Sequence, residues 1–366
     1  MWDCAAYKFT MGGPDDVSGL ATLLDEGTFQ AADVVAIIAK TEGNGRVNDF
    51  SRPLAHRCFR DLLMERAALT EEELERRVAF VMSGGCEGVM SPHATVFVRK
   101  WIDRRAAGSE KRLSFAMART RGLLPEELGT RVQVELVADA VRRAMSEAAI
   151  ASPEDAHYVQ VKCPLLTSDR IDDARRRGKK TVTEDTLRSM GYSNGASALG
   201  IAVGLDEVGH YEDTDICGNS ELYTTRGASS SGIEVLECCV FLIGNSREAL
   251  SSYVVSHHRL DDLIDGEGVR MALRAAGIDV GETVLEADRE RIVNLFGKGQ
   301  VPLDGRVRGR RTTLLTDSDL NTRPARAVLS AVIASIVGDP AVYASAGWGY
   351  HQGPVGGGVV AVVART

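Results

Sequence analysis

Three lysines each end an apolar segment that is typical of a buried strand: Lys40, Lys162 and Lys298. Each is followed downstream by a serine, a small residue and a glycine, in the sets Ser83-Gly84-Gly85, Ser230-Ser231-Gly232 and Ser345-Ala346-Gly347. A serine hydroxyl attacks a carbonyl only when a base removes its proton, and a neutral lysine amine is such a base. Because burial and nearby positive charges both lower the pKa of a lysine, this pattern indicates acyl-transfer chemistry.

A short polar tripeptide follows each lysine segment and precedes a run of small, apolar residues. The three tripeptides are Ser51-Arg52-Pro53, Ser193-Asn194-Gly195 and Thr322-Arg323-Pro324. Serine or threonine near the cap and proline in the first turn are typical of a helix start, so the pattern places Arg52, Asn194 and Arg323 at helix N-termini. Each third of the chain therefore offers one lysine, one serine, and one arginine or asparagine.

These sets require elements that recur in the same order. An amphipathic helical stretch precedes each lysine strand, and the tripeptide and the serine follow it. The repetition predicts three units, 1–104, 105–252 and 253–366, arranged around a pseudo-threefold axis on which equivalent residues meet. The alternative is that the repeat is architectural only and that these are ordinary polar residues at strand ends.

Composition narrows the class of protein. The chain has 366 residues, 44% of them hydrophobic, a formal net charge of −8 and no basic run longer than Arg175-Arg176-Arg177, so nucleic acid is not an expected partner. The start of the chain lacks the features of a signal peptide, and no apolar run approaches the roughly 20 residues that span a bilayer. We expect a cytoplasmic protein with no membrane partner, and reduced thiols, because the seven cysteines show no C-x-x-C spacing.

The same residues carry a resemblance to a known family. The matching stretches are Lys40-Thr41-Glu42-Gly43-Asn44-Gly45, Ser83-Gly84-Gly85, Val161-Lys162-Cys163-Pro164-Leu165-Leu166-Thr167, Met190-Gly191-Tyr192-Ser193 and His351-Gln352-Gly353-Pro354. In these stretches, spread over almost the whole chain, the sequence resembles the ring-opening amidohydrolases, the family of cyanuric acid amidohydrolase and barbiturase. The resemblance implies an α+β fold of three structurally similar units with sheets inside and helices outside, and a homotetramer.

The resemblance also assigns roles to residues. It implies that Ser230 is the nucleophile and Lys162 its base, and that a small planar cyclic imide is the substrate. The other substrate-binding positions are Lys40, Arg52, Ser83, Gly84, Asn194, Ser231, Lys298, Arg323, Ser345 and Ala346. The implied reaction opens cyanuric acid to carboxybiuret, which yields biuret and carbon dioxide; the alternative is opening of barbituric acid to ureidomalonate.

Asn194 departs from the family pattern, since the cyanuric acid hydrolases carry arginine there. An amide cannot supply a charged guanidinium to an anionic ring, which favours a less symmetric ring such as barbituric acid. The alternative reading is that Asn194 caps the following helix.

A second departure concerns a divalent cation. The family holds one in its C-terminal glycine-rich loop, with a glutamate two residues after the third lysine, where this chain has Gln300. The matching carbonyl donors are Gly349, Gln352, Gly353, Pro354 and Gly357. A neutral amide still offers one oxygen but no charge, which weakens affinity for a structural Mg²⁺ or Ca²⁺, and a metal-free glycine turn is equally compatible with the sequence. No cofactor is expected to be required for the chemistry.

Two other readings stay open at this point. Cys86 and Cys163 lie beside proposed site residues and raise the possibility of a cysteine hydrolase, although neither has a clear histidine partner and His351 fits a loop hydrogen bonder better than a base. Asn194 and Gln300 together are also compatible with a non-catalytic protein that keeps the pocket and binds a small molecule. Retention of all three lysines argues for the enzyme.

Overall fold

The structure is a computed structural model that describes residues 1–103, 110–302, 304–312, 322–347 and 349–366. Its main elements form three four-stranded groups, each packed against its own helices. The strands of the first group are β1 (Trp2–Thr10), β2 (Val34–Thr41), β3 (Ala79–Gly84) and β4 (His93–Trp101). Its helices are α1 (Ser18–Asp25), α2 (Ser51–Ala67) and α3 (Glu71–Arg77).

The second and third groups repeat this order. The second has strands β5 (Arg112–Gly122), β6 (Ala156–Pro164), β7 (Gly227–Gly232) and β8 (Glu237–Ser246), and helices α4 (Arg131–Glu147), α5 (Ser168–Arg176) and α6 (Thr186–Gly204). A short strand β9 (Ala249–Leu250) then pairs with β1 and extends the first sheet. The third has strands β10 (Tyr253–Leu260), β11 (Ile292–Gln300), β14 (Tyr343–Gly347) and β15 (Gly358–Arg365), a separate hairpin of β12 (Arg306–Val307) and β13 (Arg310–Arg311), and helices α7 (Gly266–Ala275), α8 (Glu286–Arg289) and α9 (Thr322–Val337).

Strand order is the same in all three sheets. The orders are β3-β2-β4-β1, β7-β6-β8-β5 and β14-β11-β15-β10. In each, the second and third strands of the unit are parallel, whereas the fourth is antiparallel to both the second and the first. An irregularity of register between the second and fourth strands also recurs, at Val34/Ala36, Ala156/Tyr158 and Ile292/Asn294. Such agreement of topology, register and irregularity is what a triplicated unit produces.

The three sheets meet in the middle of the molecule. One buried cluster takes residues from all of them, including Phe97, Phe115, Phe241, Phe296 and Tyr343. Each sheet also has one buried cluster of its own, which lies between that sheet and its helices. The predicted α+β fold, with sheets inside and helices outside around a pseudo-threefold axis, is therefore confirmed.

Both faces of the lysine-bearing strands are covered. All eight residues of β2, Val-Val-Ala-Ile-Ile-Ala-Lys-Thr, are buried, which is why the segment reads as a continuous apolar run rather than an alternating one. The outer face of these strands packs on helices.

The helices of the second unit also approach each other closely. At Gly200 a Cβ would lie 2.7 Å from the carbonyl oxygen of Val134, so glycine lets α6 pack tightly against α4.

None of the helices in the described part of the chain is long and apolar enough to cross a membrane. All seven cysteines lie in that part, and each is a free thiol.

Candidate active site

Each lysine lies directly opposite its serine on the neighbouring parallel strand. The register pairs are Lys40 with Ser83, Lys162 with Ser230 and Lys298 with Ser345. The three units thus bring the pairs to equivalent positions near the carboxyl ends of the lysine strands, where side chains of neighbouring parallel strands lie close together.

The serines of all three pairs line one cavity of about 270 Å³. Of the predicted substrate-binding residues it is also lined by Arg52, Gly84, Asn194, Ser231, Lys298, Arg323 and Ala346. Lys40 and Lys162 do not line it; they are fully buried behind their serines, where a low-dielectric environment penalises an ammonium ion. The cavity is therefore a shared site to which every unit contributes a serine.

The lysine amines make different contacts. Lys40 Nζ donates to Ser83 Oγ at 3.2 Å, and Lys298 Nζ donates to Ser345 Oγ at 3.3 Å. Lys162 Nζ donates to the carbonyl oxygen of Met82 at 3.3 Å. Among the hydrogen bonds of the described residues none joins Lys162 to Ser230.

Two of the lysines donate hydrogen bonds to the backbone of the preceding unit. Lys162 of the second unit reaches Met82, the residue before Ser83 in the first. In the same way Lys298 of the third unit donates at 3.0 Å to the carbonyl oxygen of Ser229, the residue before Ser230 in the second. Two lysines therefore each hold the serine strand of the preceding unit.

Burial lowers the pKa of all three lysines. Desolvation, helped by the charge of Arg326, brings the pKa of Lys40 to about 7 and that of Lys298 to about 8. For Lys162 desolvation also lowers the pKa, but the Glu234 carboxylate, 2.6 Å from Nζ, acts in the opposite direction. For Lys40 and Lys298 the neutral amine is thus accessible near neutral pH, and for Lys162 burial acts in the direction that a base requires.

Three consecutive serines on β7 have distinct surroundings. Ser229 is buried, and its hydroxyl donates to the carbonyl oxygen of Asn194 at 2.7 Å. Ser231 is also buried, whereas Ser230 between them is partly exposed to the cavity. Of these three consecutive serines, Ser230 is the one opposite Lys162 in register and the one most exposed.

Arg52 is held between two units. Its Nη1 donates to the carbonyl oxygen of Ser231 at 3.2 Å, and Nη2 donates to that of Arg46 at 2.7 Å. The buried carboxylate of Asp49 orders the start of its helix by accepting from the backbone nitrogens of Gly45 and Ser51. Arg52 as a whole is 2% exposed and lines the cavity, so its guanidinium can meet an anionic or carbonyl oxygen there.

Comparison of the whole chain with known proteins identifies its family. The model of the family described as amidohydrolase ring-opening protein matches residues 5–365. This chain belongs to the ring-opening amidohydrolase family. The predicted resemblance is confirmed.

Individual members of this family match over nearly the full chain. A cyanuric acid amidohydrolase from Enterobacter cloacae is 49% identical over 98% of this chain and 98% of its own length. Barbiturase 1 from a Nocardioides species is 43% identical over 95% of each chain. A solved cyanuric acid hydrolase structure superposes with a TM-score of 0.94 at 46% identity, covering 100% of both chains.

Asn194 does not stand at a helix start, which corrects the prediction from its tripeptide. Helix α6 begins at Thr186 and is capped by Asp185, whose side chain accepts from the backbone nitrogen of Arg188 at 3.0 Å. Asn194 lies in the middle of α6, on the face that carries Leu187 and Met190 to the cavity, so it does not cap the helix. In the first and third units the helix does begin with the tripeptide, at Ser51 and Thr322.

The glycine-rich loop of this family member is closed by hydrogen bonds. The side-chain amide of Gln300 donates to the carbonyl oxygen of Gly353 at 2.6 Å, and its backbone nitrogen donates to that of Gly357 at 2.7 Å. The carbonyl oxygen of Pro354 accepts from the nitrogen of Gly357. With these carbonyls engaged and no carboxylate among the donors, the residues do not fit a divalent cation.

Gly349 and Gln352, the remaining residues of the predicted cation site, lie against each other and against β7. Gln352 is fully buried, and its Oε1 accepts from the backbone nitrogen of Ser229 at 2.8 Å. Gly349 packs beside the Gln352 amide, close enough that a Cβ would lie 2.8 Å from Nε2. In the described ranges no group of three or more His, Cys, Asp or Glu side chains is placed to hold a metal ion.

The thiol and histidine alternatives lose support. Burial raises the pKa of the Cys86 thiol to about 11 and also raises the pKa of Cys163, so neither is a ready thiolate. His351 Nε2 accepts from the backbone nitrogen of Cys217 at 2.8 Å, while Nδ1 bonds the carbonyl oxygen of Leu222. Both ring nitrogens are therefore engaged in holding the loop.

Sequence reasoning missed three charged residues around this cavity. Glu234 pairs with Lys162, and Arg326, which lines the cavity, is held by Glu87 through a contact of 2.6 Å from Nε to Oε2. A signal was present, because Glu87 and Glu234 occupy the same place after their unit's serine. Their partners come from other strands and helices, so only the fold reveals them.

Proposed function

We propose that this protein hydrolyses a ring amide bond of cyanuric acid to give carboxybiuret, which then loses carbon dioxide to form biuret. The observation that carries the proposal is the meeting of three lysine–serine pairs at one small cavity in a ring-opening amidohydrolase. Three near-equivalent polar sets suit a planar ring with three equivalent carbonyl groups.

In the proposed reaction Ser230 is the nucleophile and Lys162 is the base. Lys162 Nζ takes the hydroxyl proton while Ser230 Oγ bonds to a ring carbonyl carbon, and the backbone N–H of Ser231 or a neighbour stabilises the oxyanion. The ring C–N bond then breaks and the nitrogen takes the proton back from Lys162. Water hydrolyses the acyl-serine by the same proton transfers.

The other polar residues would hold the ring. Ser83 and Ser345 would bind the two carbonyls that do not react, with Lys298 beside Ser345 at the cavity wall and Lys40 acting through the hydroxyl of Ser83. Arg52 and Arg323 supply positive charge at the cavity wall, which favours an imide that has lost a proton. Substrate binding thus needs all three units, and we propose the division 1–104, 105–252 and 253–366 for them.

Barbituric acid is the second candidate substrate. Asn194 gives the cavity two arginines and one amide at the three equivalent sequence positions, and Barbiturase 1 is among the related proteins. A ring in which a methylene interrupts the carbonyl pattern loses less from a missing guanidinium. The product would be ureidomalonate.

Lys40 and Ser83 form the second candidate dyad. Their side chains are in hydrogen-bond contact at 3.2 Å, and the pKa of Lys40 is about 7, whereas Lys162 and Ser230 are register partners without that contact among the described residues. Active-site hydrogen bonds commonly tighten only when substrate is bound, so the resting geometry is compatible with either dyad.

The first experiment follows the loss of ring ultraviolet absorbance with purified protein on cyanuric and barbituric acids. Turnover of either supports a hydrolase, and the faster substrate is the assigned one. Binding of both rings without any loss would instead support a non-catalytic binding protein.

The nucleophile is tested by substitution. Ser230→Ala and Lys162→Ala should each lower ring opening by at least about a thousandfold while the protein stays folded, and the double variant should be little worse, because nucleophile and base act as a unit. Ser83→Ala and Ser345→Ala are the matched controls and should retain acyl-transfer activity. If Ser83→Ala abolished it and Ser230→Ala did not, the Lys40 dyad would be the reactive one.

We further propose that the enzyme requires no divalent cation and assembles as a homotetramer. The first statement rests on the amide contact of Gln300 and the second on family resemblance. Retention of activity after exhaustive chelation and the mass of the native particle by light scattering test them.

A further inference from the structure

Glu234 is a buried carboxylate beside the proposed base. It follows β7 as the fourth residue after Ser230, and its Oε1 lies 2.6 Å from Lys162 Nζ. The two side chains are 8% and 1% exposed. Neither carboxylate oxygen accepts a hydrogen bond from any residue in the described ranges, so the contact of Oε1 with Lys162 is an ion pair. A buried carboxylate with so few partners is costly unless its charge is matched, and Lys162 supplies the match.

The same position has a different occupant or partner in each unit. In the first unit Glu87 is the fourth residue after Ser83, and its carboxylate is turned to Arg326 of the third unit. In the third unit the fourth residue after Ser345 is Gly349, which has no side chain. Of the three lysines, Lys162 is the one that has a carboxylate within ion-pair distance, as far as the described residues go.

The groups that face this ion pair come from three directions. Arg52 on α2 acts on both partners, and Cys163 lies next to Lys162 on β6. On the outer side Glu234 borders a surface groove, whose charged or titratable residues are His56, Arg57, Arg60, Glu71 and Glu75. Lys162 and Arg52 lower the pKa of Glu234 to about 2 against the effect of burial, so the carboxylate stays ionised.

We propose that Glu234 is a positioning residue that stabilises the ammonium ion formed when Lys162 takes the Ser230 proton, and that it thereby selects Lys162 as the base among three lysines. This inference rests on the proposed function. In the step concerned, the Oγ–H bond of Ser230 breaks, an N–H bond forms on Lys162 Nζ, and Oγ bonds to the ring carbonyl carbon. Glu234 takes no proton; it neutralises the charge that appears 2.6 Å away.

Lys40 and Lys298 lack the carboxylate contact that Lys162 has, which disfavours them as bases. A proton placed on Lys40 or Lys298 creates a buried ammonium with no carboxylate within ion-pair distance among the described residues. Glu87 raises the pKa of Lys40 from farther away, but burial outweighs it, and the pKa values are about 7 for Lys40 and about 8 for Lys298. These amines suit hydrogen bonding to Ser83 and Ser345 better than taking a proton from a hydroxyl.

The variant Glu234→Gln tests this role, because the direction in which its kcat profile should move along the pH axis is fixed. Because the carboxylate raises the pKa of Lys162, its removal should shift the rising limb of the kcat profile to lower pH by about one to two units. At the high-pH plateau kcat should still fall about ten- to hundredfold, because the new ammonium lacks its counter-charge. Glu234→Asp should keep the limb close to its wild-type pH. Glu87→Gln, the equivalent residue of the first unit, should leave the limb in place.

A titration of the lysines separates failure of this inference from failure of the proposed function. Lysines carrying ¹³C at Cε are followed by NMR across the pH range in the wild type and in Glu234→Gln, and Lys162 is assigned by its loss in Lys162→Arg. A lower Lys162 midpoint in Glu234→Gln together with the shifted limb supports the inference. A Lys162 midpoint that is the same in Glu234→Gln as in the wild type overturns the inference, whether or not the ring is opened. A lower Lys162 midpoint in an active Glu234→Gln enzyme whose kcat limb has not moved also overturns it. A wild type that opens neither ring overturns the proposed function and this role with it.

Discussion

Three lysines of equal type and equal register differ in what surrounds their amines. Lys40 and Lys298 contact serine hydroxyls and share the field of Arg326, whereas Lys162 contacts a carboxylate. Desolvation lowers the pKa in all three cases, but the neighbouring charges differ from one lysine to the next. A threefold arrangement of side chains therefore does not give a threefold arrangement of proton affinities.

The depressed pKa of Lys40 predicts how stability depends on pH. An unfolded lysine keeps its proton up to about its ordinary pKa, so between pH 7 and 8.5 the unfolded chain binds more protons than the folded one. The free energy of unfolding should rise with pH in this window, and Lys40→Met should reduce that slope by about 1 kcal/mol per pH unit. Urea unfolding at several pH values measures it. The exposed Lys100→Met is the control, and a slope unchanged in Lys40→Met would refute the lowered pKa.

Asn194 is the residue on which ring selection is expected to depend. It lies mid-helix and faces the cavity, so an arginine there would extend toward a bound ring. Asn194→Arg should raise the ratio of cyanuric to barbituric acid turnover about ten- to hundredfold, because it restores one charged hydrogen-bonding partner. Steady-state rates on both rings give the ratio, and Asn194→Gln, which stays neutral, is the control. An equal ratio in all three proteins would mean that this position does not select the ring.

The sequence predicted part of this site for physical reasons. Lysines that end apolar strands are rare and were visible as a repeat, and the register of parallel strands then placed Ser83, Ser230 and Ser345 opposite them. The ion pair of Glu234 could not be predicted, because it joins a loop to a strand whose separation in space depends on the fold. The place of Asn194 was predicted wrongly, because the strong cap at Asp185 starts the helix earlier than the tripeptide suggests.

At the scale of elements, the C-terminal loop couples two units. Gln300 at the end of β11 holds the loop through Gly353, and the loop in turn presents Gln352 to Ser229 on β7. The loop therefore supports the strand that carries Ser230. The Gln300 amide donates a hydrogen bond to the carbonyl oxygen of Gly353, whereas a carboxylate at this position would need a cation between the two oxygens.

Replacing that amide by a carboxylate should create a need for metal. In Gln300→Glu the carboxylate faces the carbonyl oxygen of Gly353 without a proton between them, which lowers stability, and Ca²⁺ or Mg²⁺ should restore it by binding to the folded state. Thermal unfolding with chelator and with added cation measures the effect. The wild type is the matched control and should show nearly the same Tm in both. A chelator-dependent Tm in the wild type would contradict this account of the loop.

At the scale of the whole molecule, an aromatic cluster joins the three sheets. The ring of Phe97 in the first sheet lies 5.4 Å from that of Phe115, 5.0 Å from that of Phe241 and 6.0 Å from that of Phe296. Phe115 and Phe241 belong to the second sheet and Phe296 to the third. Such packing makes the relative positions of the units, and hence the cavity between them, depend on one shared core.

Phe97→Ala tests whether the units are stable independently. Removal of a fully buried phenylalanine should cost about 3–5 kcal/mol of unfolding free energy, and the loss should appear as a single transition if the three sheets unfold together. Guanidinium denaturation followed by near- and far-ultraviolet circular dichroism measures this. Phe50→Ala, at a side chain that is 71% exposed, is the control. Separate transitions in the variant would show that the units fold alone.

The fourth residue after each unit's serine differs between the units, and only a single chain permits that difference. A ring of three identical subunits carries every substitution three times, so it cannot give one lysine a carboxylate and leave the others without. Here the copies lie on a single chain and have diverged to Glu234 facing Lys162, Glu87 facing Arg326, and Gly349. A single chain thus lets the corners of a symmetric pocket differ, with one lysine paired to a carboxylate and the other two without such a pair among the described residues.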